Sequence, residues 1–298
     1  MTRIARGAPS VGEDTRPVTG RAALPRTLPL RVEAVRQLRR RRTLVAFGIL
    51  LVLPWVLVGA FEIGGDPSSD GPGGRPSLVE VATASALNFA LFALFVSVGF
   101  LLVVAVALFC GDTVASEANW SSLRYLLAAP VPRARLLRQK LIVAFAYATL
   151  AVVSLPLMSL LAGTVAFGWG DVRLPDVGAV VPSGEALGRM AIIVAYALVS
   201  QLVVAALAFL LSVTTDSPLG AVGGAVGLVI ISNILDAVTA LGSWRDILPT
   251  HWMFAWMDVL QPSIQWAGMA KGAALSFSYA VVLVALAFRR FQAKDIVS

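Results

Sequence analysis

Six long runs with almost no charge divide the chain, each bounded by charged or turn-forming residues. Thr43 to Phe61 is the first, and the stretch EIGGDPSSDGPGGRPS behind it has the composition of a solvated loop. Val81 to Cys110 is the second, thirty residues without a charge. As one helix it would be about 45 Å long, which predicts a span that tilts or extends beyond the bilayer. Leu141 to Gly170, Met190 to Thr215 and Ser217 to Trp244 are the next three, the last broken only by Asp236. Gly272 to Phe288 is the sixth and shortest, and it lengthens towards Met269 if Lys271 turns to the interface.

These runs predict an all-α integral membrane protein of six transmembrane helices over residues 43–288. A crossing needs roughly 20 apolar residues. Composition agrees: 58% of residues are hydrophobic, 14% are charged and the mean hydropathy is +0.82. In 298 residues this leaves no room for a large soluble domain. The single cysteine excludes an intrachain disulfide, and with a single histidine no His/Cys metal cluster can form.

The net charge of +7 is a matter of topology once its distribution is considered. Lys and Arg number 11 up to Arg42, 5 in residues 111–140 and 3 after Phe288, against only 5 in the alternate loops. The positive-inside rule therefore places both termini and residues 111–140 in the cytoplasm. Val58-Gly59-Ala60 has the small residues of a signal-peptide cleavage site, but the first apolar run is longer than a signal peptide's and its leader is long, so span one is expected to be retained.

Residues 1–27, with Pro9, Pro17 and Pro25, have the composition of a disordered basic tail. Leu28, Val32, Val35 and Leu38 then share one face of a helix, with Arg31, Glu33, Arg36 and Arg40 away from it. This predicts an interfacial amphipathic helix over 28–42 with its arginines near anionic lipid; a leader that only fixes topology is the alternative. Residues 289–298 form a cytoplasmic tail.

Between spans two and three, Trp120, Leu123 and Leu127 share a face with Leu126, while Ser121, Ser122 and Arg124 lie elsewhere. Pro130 and Pro132 end this short amphipathic helix, and a second basic helix, RARLLRQK, runs into span three.

The segment EANWSSLRYLLAAPVPRARLLRQK resembles the signature of ATP-binding-cassette (ABC) transporter permeases of the second exporter type. Glu117 matches the acidic position, Leu123, Leu126 and Leu127 the leucines, Pro130, Val131 and Arg133 the proline motif, and Lys140 the closing lysine. Ser121 stands where glycine is usual and Pro132 where a small hydroxyl residue is usual. The resemblance implies a coupling helix whose docking groups are Glu117, Trp120, Leu123, Arg124, Leu126, Leu127, Pro130 and Arg133. It also implies a separate nucleotide-binding ATPase subunit holding ATP and magnesium, a second permease copy or a paralogue, and no cofactor in this chain. The chain contains no Gly-x-x-x-x-Gly-Lys-Ser/Thr phosphate loop of its own. The alternatives are a channel or scaffold without ATP coupling, and an intramembrane enzyme, which is disfavoured by the absence of His-Glu-x-x-His and Gly-x-Ser-x-Gly motifs. Twenty-one arginines against three lysines suggest a GC-rich bacterial genome and hence a bacterial plasma membrane.

Polar groups within spans are candidates for a transport path, since they are costly unless paired or wet. These are Asn88, Gln201, Ser232, Asn233 and Asp236; the alternative for each is an interhelical hydrogen bond or, for Asp236, solvation at the outer surface. Gly220, Gly223, Gly224 and Gly227 predict close helix packing in span five. The stretch LPTHWMFAWMDVLQPSIQW predicts an outer interfacial helix with Trp252, Trp256, Val259 and Leu260 on one face. His251 has no acid close to it in sequence and is expected to be an interfacial side chain.

Overall fold

Every apolar run becomes helix, but not always one helix. A computed structural model of the chain describes residues 30–64, 78–119, 132–174 and 179–293. The helices are α1 (Leu30–Leu38), α2 (Arg41–Ile63), α3 (Leu78–Thr83), α4 (Ala86–Val98), α5 (Leu101–Asn119), α6 (Arg133–Ala166), α7 (Ser183–Ser200), α8 (Leu202–Thr214), α9 (Pro218–Ala237) and α10 (Ala267–Ala293). A two-residue hairpin, β1 (Val172–Arg173) against β2 (Val180–Val181), joins α6 to α7. Two stretches of 3-10 turns, Thr239–Ile247 and Ala255–Leu260, lie between α9 and α10.

The protein is an all-α membrane protein. Five helical segments are long and apolar enough to cross a bilayer: α2, α6, the nearly continuous α7–α8, α9 and α10. The α4–α5 pair is a sixth if taken as one bent span.

That pair corrects the expectation of a single long second span. The run is not one rod; α4 and α5 meet at 58° across a break at Gly99 and Phe100. No proline is present, and the break sits at the Ser97/Gly99 pair, a usual place for a kink. Glycine at 99 also lets the Phe254 ring approach, since a Cβ there would stand 3.2 Å from its Cζ.

Two other expectations change. Span five ends as a helix at Ala237 rather than Trp244, and residues 249–266 fold as turns rather than an interfacial α-helix. Of that stretch's proposed apolar face, Trp256 and Val259 are buried while Trp252 and Leu260 are half-buried. The basic run RARLLRQK does continue without interruption into span three, all within α6.

The core is built around α5, which packs on α6, α8 and α9, while α8 also packs on α10 and α4 on α6. Close approaches rest on small residues. A Cβ on Gly163 of α6 would stand 2.9 Å from the Ala86 backbone, and one on Gly111 of α5 would stand 3.0 Å from Val222 of α9. Of the span-five glycines, Gly224 packs closely on Leu211, whereas Gly223 and Gly227 face open space.

Candidate functional site

At the basic end of the bundle, four helices, α1, α2, α5 and α6, meet through charge. The last turns of α5 carry Asp112 and Ser116, four residues apart and therefore on one face, and Glu117 on the flank next to Ser116. All three are buried, as is Lys140 near the start of α6. Lys140 Nζ lies 2.6 Å from Glu117 Oε1 and 3.3 Å from Glu33 Oε1 of α1. Arg36 of α1 bridges Glu33, at 3.0 Å, and Glu117. A second group forms beside it: Arg40 Nη1 donates to Asp112 Oδ2 at 2.5 Å and Ser116 Oγ at 3.0 Å, and Arg42 Nη1 reaches Asp112 Oδ1 at 2.9 Å. Gln37 Nε2 donates to the Phe109 carbonyl and Tyr147 Oη to the Ala34 carbonyl.

Charges withdrawn from water are tolerable only when paired and hydrogen-bonded, and here each acid faces two cations or more. Burial on its own pushes the Glu33 carboxyl up, but the charges of Lys140 and Arg36 and their hydrogen bonds outweigh it and hold the group below its ordinary value. Burial likewise opposes the charge on Arg36, and Glu117 and Glu33 override it, raising its pKa.

The two faces of α1 are separated as the sequence expects, but Arg36 is engaged with Glu33 and Glu117 and so is not left to lipid headgroups alone. Glu33, Arg36 and Gln37 contact α5 and α6, and Leu30, Val32, Val35 and Leu38 are exposed. The helix is also shorter than expected, with a break at residues 39–40 before α2.

Of the residues assigned to coupling, Glu117 and Arg133 lie within the described structure. Glu117 is at the centre of the ion cluster, and Arg133 Nη1 contacts the Gln292 carbonyl of α10 at 3.4 Å. Trp120, Leu123, Arg124, Leu126, Leu127 and Pro130 lie outside the described residues, as do residues 1–27 and the end of the carboxy tail.

The membrane-embedded polar groups do not converge. Asn88 is buried and holds the β-hairpin: its Nδ2 donates to the Arg173 carbonyl at 2.8 Å, and its Oδ1 accepts from Arg173 N at 3.0 Å and Ser85 Oγ at 3.0 Å. Gln201 is buried between α7 and α8 and donates from Nε2 to the Val98 carbonyl at 3.0 Å, where α4 ends at the bend. Its Oε1 has no partner, and the residue lines a cavity of about 120 Å³ with side chains of α5, α6, α7 and α8. Ser232 bonds Thr250 at 2.8 Å. Asp236 accepts from Arg245 and pairs with His251 Nδ1 at 2.5 Å, and Asn233 is exposed. Ser232 and Asp236 thus fasten α9 to the turns that follow it, while Asn233 is exposed.

A family described as "Protein of unknown function (DUF2705)" matches residues 77–297. The chain belongs to this family. The match takes in Asp112, Glu117 and Lys140, while Glu33, Arg36, Arg40 and Arg42 precede it. The chain is also similar to "Uncharacterized protein YhcI" of Bacillus subtilis (strain 168), at 27% identity over 195 residues, a segment that spans 61% of each chain.

Several residues of this DUF2705 chain escape a linear reading. His251 is not without an acid: its two ring nitrogens face Asp236 and, at 3.3 Å, Asp246. Asp236 is distant in sequence, and only the turn after α9 brings it back. Arg189, nearly buried, forks between Glu185 and the Val259 and Gln261 carbonyls, tying α7 to the turns before α10. Asp112 had a visible signal, because it and Glu117 are the only acids in the basic stretch 111–140.

Proposed function

We propose that this chain is the transmembrane permease subunit of an ABC exporter, driven by a separate nucleotide-binding subunit that holds ATP and magnesium. In this reading both termini and residues 111–140 face the cytoplasm of a bacterial plasma membrane, α1 is the interfacial helix, and the chain works with a second copy or a paralogue. The observation that carries the reading is the buried Glu117–Lys140 pair.

These two residues lie near the two ends of the segment that resembles the coupling signature. Their pairing joins α5 to α6 at the base of that segment, and Glu33 and Arg36 add α1 to the same junction. A load applied between the two helices therefore reaches both as one body. From there α6 runs unbroken for 34 residues, about 50 Å at 1.5 Å per residue, enough to carry displacement across a bilayer.

The direct test is co-purification with a nucleotide-binding subunit. The intact chain is expected to retain that subunit and to stimulate ATP hydrolysis in proteoliposomes, and Leu126→Asp or Arg124→Glu to abolish both. Retention unchanged by either substitution, or no ATPase partner at all, would leave a channel or scaffold as the better reading.

A further inference from the structure

Val222 in the first turns of α9 packs on Gly111 of α5, so α9 starts near the ion cluster and ends, 20 residues on, about 30 Å further along. There it gives way to the 3-10 stretch Thr239–Ile247, which is built inside out. None of its nine residues is buried. Its cation is drawn onto the protein: Arg245 and the following His251 both hold Asp236 at the end of α9, and His251 also faces Asp246. Its large apolar side chains point away. Trp244 is 73% exposed and Ile247 51%, and Val238, which leads into the stretch, is exposed as well.

A loop surrounded by water arranges these groups the other way, because exposed apolar surface costs about 25 cal/mol per Å². The exposed surface is also continuous with that of a span. Ile231, Ile234, Leu235 and Val238 follow one another at helical spacing along one exposed face of α9, which is long and apolar enough to cross a bilayer. The backbone is fastened without water at the end of the stretch. The Asp246 carbonyl accepts from Trp252 Nε1 at 3.0 Å and the Ile247 carbonyl from Tyr279 Oη at 2.9 Å, as a segment beside lipid requires of its polar backbone groups. Gly242, with φ of 53°, supplies the reversal within the stretch. Tryptophan at the end of a span suits the lipid boundary itself, since its ring is apolar and its N–H can meet headgroups or water.

We propose that residues 238–247 are a membrane-surface foot, seated in the lipid leaflet at this end of the bundle with Trp244 and Ile247 pointed into it. The partner is the bilayer surface, at the boundary of headgroups and acyl chains. Asp236 and His251 hold the foot to the end of α9, and Tyr279 ties it to α10. The inference stands on the placement of apolar and charged side chains and does not depend on ATP coupling.

The test uses the full chain in lipid nanodiscs, with a nitroxide attached at Trp244→Cys or, separately, at Ile247→Cys; the native thiol of Cys110 is buried. Collision of the label with oxygen, which concentrates in lipid, is compared with collision with a water-soluble nickel chelate. The expected result at both sites is an oxygen accessibility several-fold above the nickel one, at a depth of about 5–10 Å into the headgroup and acyl boundary. Nickel accessibility equal to or above that of oxygen marks a solvated loop and overturns the proposal. Protection from both reagents means that protein, such as a second copy of the chain, covers the face, and overturns it equally. A check without cysteines uses lipids brominated near the carbonyl end of the chain. They should quench the Trp244 share of the fluorescence, taken as the difference between wild type and Trp244→Phe, and an unquenched share counts against the foot.

Discussion

Lys140 Nζ lies 2.6 Å from Glu117 Oε1, and their side chains are only 2% and 3% exposed. Removing one partner leaves the other charge buried. Lys140→Met is therefore expected to destabilise the chain by about 3 kcal/mol, the lower part of the range for a broken buried pair, because Arg36 still faces Glu117. The double variant Lys140→Met/Glu117→Leu is expected to recover most of that loss. Thermal unfolding in detergent measures both; a double variant as unstable as the single one would mean that the pair is not what joins α5 to α6.

Docking of α1 has a predictable pH limit. The Glu33 carboxyl is held below its ordinary value, so its ion pairs contribute fully above the unfolded pKa of about 4.3 and are lost as pH falls through the lower folded value. Trypsin cleavage within α1 should stay slow from pH 7 to about 5 and accelerate once Glu33 is neutralised by substitution. Glu33→Gln is expected to cleave rapidly already at pH 7, and protection equal to wild type would count against the Glu33 contacts as the anchor.

The bend in span two depends on a side chain from another helix. Gln201→Leu removes the donor to the Val98 carbonyl at the bend, which should cost about 1–3 kcal/mol. Distances between spin labels on α4 and α5 would report whether the 58° angle relaxes at the same time. A variant with unchanged stability and unchanged angle would show that Gly99 and its surroundings set the bend without Gln201.

Arg189 is predicted to be irreplaceable by lysine. Its fork reaches Glu185 and the two carbonyls of Val259 and Gln261 together, which a single ammonium cannot reproduce. Arg189→Lys should raise the rate of limited proteolysis within residues 239–266 several-fold, with little change elsewhere. Uniform cleavage along the chain would instead indicate global destabilisation.

The apolar runs announced the helices because a bilayer demands long uncharged segments, and the continuity of RARLLRQK with span three was visible for the same local reason. What stayed hidden was set by partners far apart in the chain. Nothing around Val98 shows that Gln201 will take up its carbonyl, so a thirty-residue apolar run looks like one helix. Arg36, Arg40 and Arg42 look lipid-directed until Asp112 and Glu117 are placed beneath them. His251 looks solitary because Asp236, its nearest partner, is returned to it only by the 3-10 turns after α9. The residues most important to the resemblance, Trp120 to Pro130, lie outside the described structure, so only the base of that segment is visible here.

The angle between α4 and α5 gives span two the shape of a crank. With 13 residues in α4 and a 58° bend, its far end stands about 17 Å off the α5 axis at 1.5 Å per residue. A rotation of α5 by about 10° about its own axis would sweep that end sideways by about 3 Å. Torque applied near Glu117 would thus emerge at the opposite end as lateral travel, a conversion that a straight helix does not perform.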